Sequence, residues 1–533
     1  MSITVIQSPE AVMPAGNEIL LKLQTDNRYS NAGSKAGLTI SFSGIETFAG
    51  RTFVLIWGDN NIIFSLAETP DDSGKQIRKA TEGQPVDYWM TLFLEDLSRN
   101  YYLQRDFDFA IDTGSDTITL VAKQSGDDYD LTVPFNNVTN VEFTPVAGED
   151  PVQRENFELI CLTEIFDNGT WRKLAEDRLA PDADDQASFF LQDLLDPELI
   201  AEFTWPEVSE TYHALRSNHI KRYRYSFAEL FDDEIQRMSS PGSARAILGA
   251  FDYKMIAGLN GIEYSFTDFI ITYKSFLTWQ PASKVINRTQ PEKLFFLVFN
   301  NINSLELHIK VYYTDGTNSD DQELFTFSDV NQYDVYEFMV GFSQIDFSKF
   351  SSKTVASYDI WLEDNAGNIQ SQVRTFVLDA KTYRHERIFL FRNSFGGFDT
   401  LRATGRKTQL NEYERMIRDR NDEGFSLQGH YQVLERSIFS INSGWLCLAQ
   451  RNWLRELLLS REAYEILGGY KFPILITDDK REFRDDDNYL YSLEINYKYA
   501  FKDPAFTGDY TSMPLLAENL EILLNEEGEP LYA

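Results

Sequence analysis

Cysteine and histidine are scarce in this chain of 533 residues. The two cysteines, Cys161 and Cys447, lie too far apart for a dense disulfide framework or a thiolate zinc site, so we expect both to be small buried apolar residues. The five histidines lack the paired spacing that metal ligation uses; they are His213, His219, His308, His385 and His430. The sequence therefore predicts no metal-binding residues and no cofactor.

Long apolar runs are missing as well. No stretch approaches the ~20 apolar residues that span a bilayer, and residues 1–16 lack the basic and apolar regions of a secretory signal. Basic residues are few, because 49 Lys and Arg face 83 Asp and Glu, which gives a net charge of -34. Such a surface repels phosphate backbones and anionic lipid. We expect a soluble protein made in a cytoplasm, with no membrane insertion and no specific nucleic-acid binding.

The motifs of common catalytic sites do not occur. The chain contains no GxxxxGK[ST], no HExxH and no GxSxG. Its acidic clusters, at 182–185 and at 478–487, lack the alternating ligands and central glycine of a calcium loop, so we interpret both as solvated loops with paired charges. A glycosidase needs two carboxylates facing each other across a cleft, and no pair stands out among the 83 acids. The sequence predicts no catalytic residues and no enzymatic activity.

Aromatic residues, by contrast, are abundant at 14%, and alternating strand patterns occur along most of the chain. We predict a mainly β fold with several β-sandwich or β-rich domains in tandem, including an immunoglobulin/fibronectin-like module, and a few short packed helices. The predicted units are an N-terminal arm, a β-domain with one packed helix, a second β-rich domain with insertions, the immunoglobulin/fibronectin-like sandwich, a C-terminal β-domain with helices and a C-terminal arm. Their ranges are 1–16, 17–145, 151–290, 291–383, 386–510 and 511–533.

Local patterns predict individual elements within these units. Pro85 and the apolar spacing after it predict a helix that ends near Asn100. Turn residues predict a hairpin around 125–128 and a turn at 364–368 that joins the last two strands of the sandwich. We also predict helical segments at 187–199, 411–420 and 451–467.

The stretch FLFRNSFGGFDTLRATGR, residues 389–406, begins as a strand and reaches Gly396-Gly397 with a phenylalanine on either side. A phosphate cradle would need a Lys-Ser/Thr pair and a helix after the glycines, and neither follows. We therefore interpret the glycines as a sharp corner between two strands, with Phe395 and Phe398 packing on either side, in preference to a ligand site.

The same stretch, together with residues 441–480 and 488–503, resembles the C-terminal region of a family of tail proteins from phages and prophages of Bacteroidetes-type hosts. Residues 275–300 are similar to the segment that leads into that region, and residues 8–27 are a weaker match to the start of the family. The resemblance implies a virion component of the distal tail, as a tail hub, baseplate or tail-tip protein, without enzymatic activity. It places the protein in the virion tail after synthesis in the host cytoplasm.

Two other classes of function stay open at the level of the sequence. A carbohydrate-binding adhesin or phage receptor-binding protein would also be rich in strands and aromatic residues. A glycan hydrolase is the least favoured, because no acid pair or nucleophile can be named. For a tail protein, we expect contacts with other tail proteins and with itself, in a homo-oligomeric ring that is a trimer or a hexamer. Excess carboxylates would then either line a channel that DNA slides through or serve solubility alone.

Both ends of the chain resemble extended arms more than parts of a domain core. Residues 1–16 contain short apolar runs broken by Pro9 and Pro14, so we expect them to add an edge strand to a neighbour. Residues 514–527 predict a helix with a leucine stripe, which must dock on the same subunit or on an adjacent one. The stripe consists of Leu515, Leu516, Leu520 and Leu523.

Overall fold

The structure is a computed structural model that describes residues 3–205, 212–252, 265–422, 425–477 and 492–501. Strands dominate it. In chain order they are β1 Ile3–Gln7, β2 Val12–Pro14, β3 Leu20–Thr25, β4 Tyr29–Asn31, β5 Lys35–Phe42, β6 Thr52–Trp57, β7 Asn60–Ala67, β8 Gln76–Arg78, β9 Phe107–Asp112, β10 Thr117–Ser125, β11 Thr132–Asn136, β12 Val141–Val146, β13 Val152–Gln153, β14 Glu158–Asp167, β15 Thr170–Leu179, β16 Gln186–Phe190, β17 His213–Leu215, β18 Ile220–Phe231, β19 Glu234–Ile235, β20 Gly242–Ile247, β21 Ser283–Ile286, β22 Lys293–Leu297, β23 Ser304–Tyr313, β24 Gln322–Ser328, β25 Val335–Met339, β26 Val355–Glu363, β27 Arg374–Leu378, β28 Arg387–Arg392, β29 Phe398–Ala403, β30 Lys407–Asp422, β31 Phe425–Asn442, β32 Ala463–Leu467, β33 Tyr470–Ile476 and β34 Glu494–Tyr499.

Short helices complete the described part of the chain. The α-helices are α1 Val86–Leu97, α2 Tyr101–Asp106, α3 Gln192–Leu195, α4 Phe266–Tyr273 and α5 Leu448–Leu459. Single 3-10 turns occur at Asp127–Tyr129, Asp196–Glu198, Phe342–Gln344 and Phe347–Lys349. The fold is therefore mainly β, with several small sheets in tandem, as the sequence predicts.

The insert module, residues 35–146, contains two four-stranded sheets and the predicted helix α1. One sheet has the order β12-β5-β10-β9 and the other β11-β6-β7-β8. Apolar residues of both sheets share one core with Trp89, Met90 and Phe93 of α1. The core forms because the alternating strands turn one apolar face inward and α1 covers it with an apolar stripe.

The N-terminal module combines residues 3–25 with residues 157–205 and 217–252 and so surrounds the insert module in sequence. Its two sheets have the orders β1-β3-β16 and β15-β14-β18-β20-β2. β2 pairs in parallel with β20, and Val12 is fully buried. The prediction that residues 1–16 form an arm for a neighbour is therefore wrong, because this segment completes two sheets of its own chain. For the same reason residues 20–25 do not belong to the β-domain predicted to begin at residue 17.

The immunoglobulin-like module is a sandwich of a three-stranded sheet, β17-β25-β22, and a five-stranded sheet, β21-β27-β26-β23-β24. From β22 onward, the strands pair as in an immunoglobulin-type fold. β22 and β25 correspond to strands B and E, and the order β24-β23-β26-β27 corresponds to C′-C-F-G. Leu294 and Phe338 of one sheet pack with Leu307 and Ile360 of the other. The predicted turn at 364–368 joins β26 to β27, and Gly367 there has φ +78°. β17 and β21 extend the module beyond the predicted range of 291–383.

The C-terminal module is a seven-stranded sheet of order β29-β28-β32-β33-β34-β31-β30, with α5 against one face. Lys407 on β30 reaches Glu465 on β32, with Nζ 3.4 Å from Oε1, although three strands separate them in the sheet. The sheet must therefore curl, since three intervening strands would hold the two apart by about 19 Å if it were flat. β30 and β31 extend far beyond this curled part.

Several local predictions differ from the structure because distant partners override local signals. Residues 411–420 lie in β30, where pairing with β31 outweighs their helical propensity. The helix predicted over 451–467 ends at Leu459 and β32 follows, while residues 187–199 form β16 and the short helix α3. The turn at 125–128 joins strands of two different sheets, so the predicted hairpin there is wrong. Cys161 is buried as expected, but Cys447 is exposed at the start of α5.

Two predictions lie outside the described residues. They are the acidic loop at 478–487 and the leucine-striped segment at 514–527 with the rest of the predicted C-terminal arm.

Candidate functional site

The glycine pair of FGGF lies in the turn between β28 and β29, as predicted, but the turn does more than reverse the chain. Gly396 has φ +85°, and a Cβ there would lie 2.6 Å from the carbonyl oxygen of Leu248, in the N-terminal module. A Cβ on Gly397 would lie 2.9 Å from the Phe295 ring, in the immunoglobulin-like module. Both glycines are required because two other modules press against the turn.

The phenylalanines on either side of the glycines anchor the same junction. Phe395 is 3% exposed and Phe398 is fully buried. The Phe395 ring packs on Trp279 with centroids 4.7 Å apart, and Phe398 lies beside Phe295. Residues of the N-terminal, immunoglobulin-like and C-terminal modules thus form one shared apolar cluster. We call this region the three-module junction.

A buried carboxylate stands next to the glycines. Asp399 is 1% exposed, and its oxygens accept hydrogen bonds from four side chains. The donors are Thr278 Oγ1 at 2.9 Å, Gln280 Nε2 at 2.7 Å, Asn393 Nδ2 at 3.0 Å and Trp453 Nε1 at 2.8 Å. These donors come from the segment before β21, from the glycine turn and from α5. Four donors satisfy a buried charge that would otherwise be costly, so Asp399 ties these elements together.

An ion pair lies beside Asp399 and is also shielded from water. Lys284 on β21 and Glu292 before β22 are 5% and 0% exposed, with Nζ 2.9 Å from Oε2. Lys284 also donates to the backbone oxygen of Thr400 at 2.6 Å, and Gln290 donates to Glu292 at 2.6 Å. Burial lowers the pKa of Lys284 and raises the pKa of Glu292 despite their mutual attraction. The pair joins the immunoglobulin-like module to β29.

A second buried carboxylate fixes the connection between the N-terminal and immunoglobulin-like modules. Glu337 on β25 is fully buried, pairs with Arg216 and lies 2.9 Å from Lys293 Nζ. The backbone N–H of Thr204 donates to Glu337 at 3.0 Å. Burial alone would raise the pKa of Glu337, but Lys293 and Arg216 outweigh it and the pKa is lowered. The carboxylate is therefore held as an anion that binds the linking segment.

A third carboxylate holds the base of β30. Glu465 is fully buried and lies 3.0 Å from Arg387 Nε, while the hydroxyl groups of Tyr497 and Tyr499 donate to it at 2.9 and 2.7 Å. Burial raises the pKa of both tyrosines. With Lys407 also in contact, this cluster sets where the extended part of β30 leaves the module.

β30 and β31 form a long hairpin that projects from this base. β34 pairs with β31 only at 439–442. Among the described residues, the part of the hairpin that contains residues 410–422 of β30 therefore has no third strand beside it. At about 3.3 Å per residue, these 13 positions extend roughly 43 Å. We call this part of the two strands the projecting hairpin.

The two faces of the projecting hairpin differ. The ladder face carries hydrogen bonds, in which Asn411 Nδ2 donates to Glu435 at 2.7 Å and Ser437 donates to Asn411 at 3.1 Å, together with the half-exposed ring of Tyr413. The outer face carries an apolar stripe around the Arg436–Glu414 ion pair. On this face, strand register places Leu410 opposite Ile438 and Glu412 opposite Arg436, followed by Glu414 opposite Leu434 and Met416 opposite Gln432, so apolar and charged side chains alternate along it. The stripe is thus Leu410, Met416, Leu434 and Ile438.

The residues of the predicted loops and the histidines do not come together. Asp182 accepts two backbone N–H groups at 2.9 Å and Asp185 pairs with Arg28, which describes a paired surface turn. His213 and His219 stack on Phe327 and Phe295, with ring centroids 4.4 and 5.3 Å apart. Within the described ranges, no group of three or more His, Cys, Asp or Glu could hold a metal ion. Among the same residues, no helix is both long and apolar enough to cross a membrane.

A cavity of about 240 Å³ lies between the N-terminal and C-terminal modules. Asp196, Glu456 and Arg461 are among its lining residues. Glu456 accepts the Ser394 backbone N–H at 2.6 Å, and Arg461 lies 3.2 Å from Asp196. Asp196, Glu456 and Arg461 have partners within the protein, and Gly249 and Ser394 of the junction also line the cavity, so we interpret it as part of the three-module junction.

Sequence reasoning missed the buried polar groups and the hairpin. Lys284 and Glu292 sit next to apolar strands, which is also where surface charges at strand ends occur, so their burial has no local signal. The hairpin does have a local sequence signal, because Asp422-Glu423-Gly424 is a turn sequence between two alternating segments. The charged residues of 411–420 obscured that alternation.

No protein-family model matches the chain, and no curated protein is significantly similar to it. The crystal structure of the chicken CNTN1 FN1–FN3 domains is similar over 71% of this chain and 97% of that chain, with 7% sequence identity and a TM-score of 0.12. A likeness this weak carries no argument, and the immunoglobulin-like assignment rests on the strand order of the module.

Proposed function

We propose that this chain is a structural, non-enzymatic component of a phage virion, located at the distal tail as a tail hub, baseplate or tail-tip protein. In this role it organises tail assembly and contributes to host attachment. The observation that carries the proposal is the location of the residues behind the resemblance. Residues 275–300 and 389–406, which are separate in sequence, supply 6 of the 13 buried residues of the shared apolar cluster, and they also supply Asp399 and the Lys284–Glu292 pair.

The junction supports the proposal because it fixes the modules relative to one another. Asp399, Glu292 and Lys284 are buried with specific partners, and breaking such a network costs far more than breaking a surface pair. The glycine turn adds close packing, since the neighbouring modules leave no room for side chains at Gly396 and Gly397. A tail component has to transmit position between neighbours, and a rigid body of several modules suits that task.

The expected partners are other tail proteins and further copies of this chain, in a ring that is a trimer or a hexamer. The acidic surface is compatible with a soluble precursor that assembles through limited contact areas, because net charge keeps the free subunits apart. The same charge would keep DNA from adhering if the ring surrounds the tail channel.

Labelling of purified virions tests the proposal. Antibody raised against the chain, visualised by negative-stain electron microscopy, should mark one end of the tail, and preimmune serum should not. Mass spectrometry of isolated tails should recover peptides of this chain along with other tail proteins. Label on capsids, or absence of the chain from particles, would overturn the proposal.

A further inference from the structure

Two arginines of the N-terminal module lie opposite each other on neighbouring strands. Arg222 on β18 is the register partner of Arg245 on β20, so their side chains leave the sheet on the same face from Cα atoms about 5 Å apart. This is the outer face, because Tyr223 and Ala244 at the alternate positions belong to the core. Arg222 is exposed and Arg245 is partly buried. We call the two residues the arginine pair.

The other cations of this face have acidic partners. Arg224 lies 2.6 Å from Glu164, and Glu176 accepts from both Lys173 and Arg178, at 2.7 and 2.8 Å. Within the described part of the chain, the arginine pair forms no such ion pair. Like charges directly opposite each other in a sheet are destabilising, yet a chain with 83 acidic residues places two arginines here.

Aromatic rings hold both guanidinium groups of the arginine pair. Arg222 lies over the Trp171 ring, 5.2 Å from its centroid, and Arg245 lies over the Tyr333 ring of the immunoglobulin-like module at 4.1 Å. Tyr333 has φ +72°, in the left-handed region that bulky residues seldom adopt, so the turn before β25 holds this ring in place at a cost in backbone strain. A guanidinium group stacked on a ring keeps its N–H edge free, and that edge binds a carboxylate through two parallel hydrogen bonds.

The electrostatics of Arg245 indicate that the pair lacks an anion. Burial lowers the pKa of Arg245 and the nearby Arg222 lowers it further, while Asp334 raises it without coming within ion-pair distance. A carboxylate bound between the two arginines would cancel their repulsion and use N–H groups of both.

The two rings also bear on the kind of anion. Trp171 carries a second guanidinium group, that of Arg224, at 4.5 Å, and packs against Phe166 at 5.2 Å. Tyr333 packs against Phe299 at 5.4 Å. Because both rings are engaged by the protein itself, stacking on a sugar is disfavoured and the N–H groups of the arginine pair are the recognition elements. This favours an acidic polypeptide over an acidic glycan.

We propose that the arginine pair is a binding site for the carboxylates of an acidic polypeptide segment on a partner protein. The inference deepens the proposed function by naming the chemistry through which a neighbouring tail protein is recognised, and it rests on that function for the identity of the partner. The site lies beside the three-module junction, because the next pair of residues on the same strands, Ile220 and Ile247, packs in the shared apolar cluster. A short acidic segment meets the arginine pair alone, whereas a long polyanion such as DNA also meets the acidic surface around it.

Titration of the full chain into fluorescein-labelled hexaglutamate, followed by fluorescence anisotropy, tests the inference. We expect a dissociation constant on the order of 100 µM at about 20 mM NaCl, and at least about tenfold weaker binding at about 0.5 M NaCl, because salt screens the attraction. Hexaglutamine should not bind. The net charge of -34 makes the assay selective, since the rest of the surface repels the probe.

Variants of the pair separate binding from stability. Arg222→Gln and Arg245→Gln should each weaken binding about tenfold, since each removes a charge-assisted hydrogen-bond donor. Arg222→Lys keeps the charge without the planar fork and should restore binding only in part. Arg172→Gln is the matched control: it removes the same charge beside Trp171, from a residue that pairs with Glu198 at 2.6 Å, and should change binding by less than about twofold. Without peptide, Arg222→Gln should not lower the thermal unfolding midpoint, because it removes the repulsion with Arg245.

Three results would overturn the inference. The unmodified chain could fail to bind hexaglutamate, or Arg222→Gln could bind it as well as Arg172→Gln while both remain folded. Alternatively, a hexamer of galacturonic acid could bind at least about tenfold more tightly than hexaglutamate, which would assign the site to an acidic glycan. Each of these outcomes leaves the virion labelling experiment unaffected, so failure of this inference is distinguishable from failure of the proposed function.

Discussion

Replacing Lys284 by methionine is the most direct test of the three-module junction. The substitution keeps an unbranched side chain, shorter by the terminal amino group, and leaves the Glu292 carboxylate, which is fully buried, without its cation. Removing one partner of a buried ion pair costs about 3–5 kcal/mol, because the remaining charge cannot be solvated. Gln290 still donates to Glu292 at 2.6 Å, which favours the lower part of that range.

The loss of stability in Lys284→Met should depend on pH, and the direction of that dependence follows from the pKa of Glu292. Its folded-state pKa is raised above the ordinary 4.5, so the folded state takes up a proton more readily than the unfolded state. The stabilisation by that protonation is fully present below 4.5 and is lost as pH rises through the folded pKa. Without Lys284 this pKa rises further. Lys284→Met should therefore be less destabilising at pH 5 than at pH 8.

Urea unfolding monitored by tryptophan fluorescence measures the effect, since the Trp453 ring lies 5.1 Å from Lys284 Nζ. Lys310→Met is the matched control: it removes a solvent-accessible pair with Asp321, at 3.1 Å, and should cost much less than Lys284→Met. The double change Lys284→Met with Glu292→Leu should recover part of the loss, because no unpaired charge remains. If Lys284→Met falls within about 0.5 kcal/mol of Lys310→Met, the junction does not depend on the buried pair.

Further predictions concern the glycine turn, the thiols, one histidine and the acidic surface. Gly396→Ala should lower the free energy of unfolding by about 1–3 kcal/mol more than Gly83→Ala, because both residues have similar positive φ but only Gly396 faces a backbone oxygen. A thiol reagent should modify Cys447 in the folded chain and Cys161 only after denaturation, since burial raises the pKa of Cys161 to about 12. Burial lowers the pKa of His219 from 6.5 to about 4, so its contribution to stability is present above 6.5 and is lost as pH falls towards 4; in urea unfolding, His219→Gln should flatten stability over that window. A gel-shift assay at low salt should detect no DNA binding, because the chain carries a net charge of -34.

Each of these expectations has a contrary result. Equal losses for the two glycine substitutions would mean that the Leu248 contact contributes nothing. Two reactive thiols in the folded chain would mean that Cys161 is accessible. An unchanged pH slope in His219→Gln would remove that histidine from the acid response, and micromolar DNA affinity would contradict both explanations of the acidic surface.

The sequence by itself determined the parts of the fold whose signals are local. Alternation of apolar residues predicted strands and the mainly β class, because one face of each strand must be buried. Pro85 and the apolar spacing after it predicted α1. The turn residues at 364–368 predicted the last turn of the sandwich, and Gly396-Gly397 predicted a corner between strands. In each case the residues that carry the signal also form the structure.

Tertiary structure alone decided which distant segments pair. Residues 3–25 join strands more than 130 positions away, so no local pattern separates them from a free arm. Residues 411–420 are helical by propensity and extended in the fold, because β31 pairs with each of them along one edge of β30. Lys284, Glu292 and Asp399 resemble surface charges in the sequence. They become the buried centre of the junction only because three modules close over them and exclude water, and that depends on contacts between residues far apart in the chain.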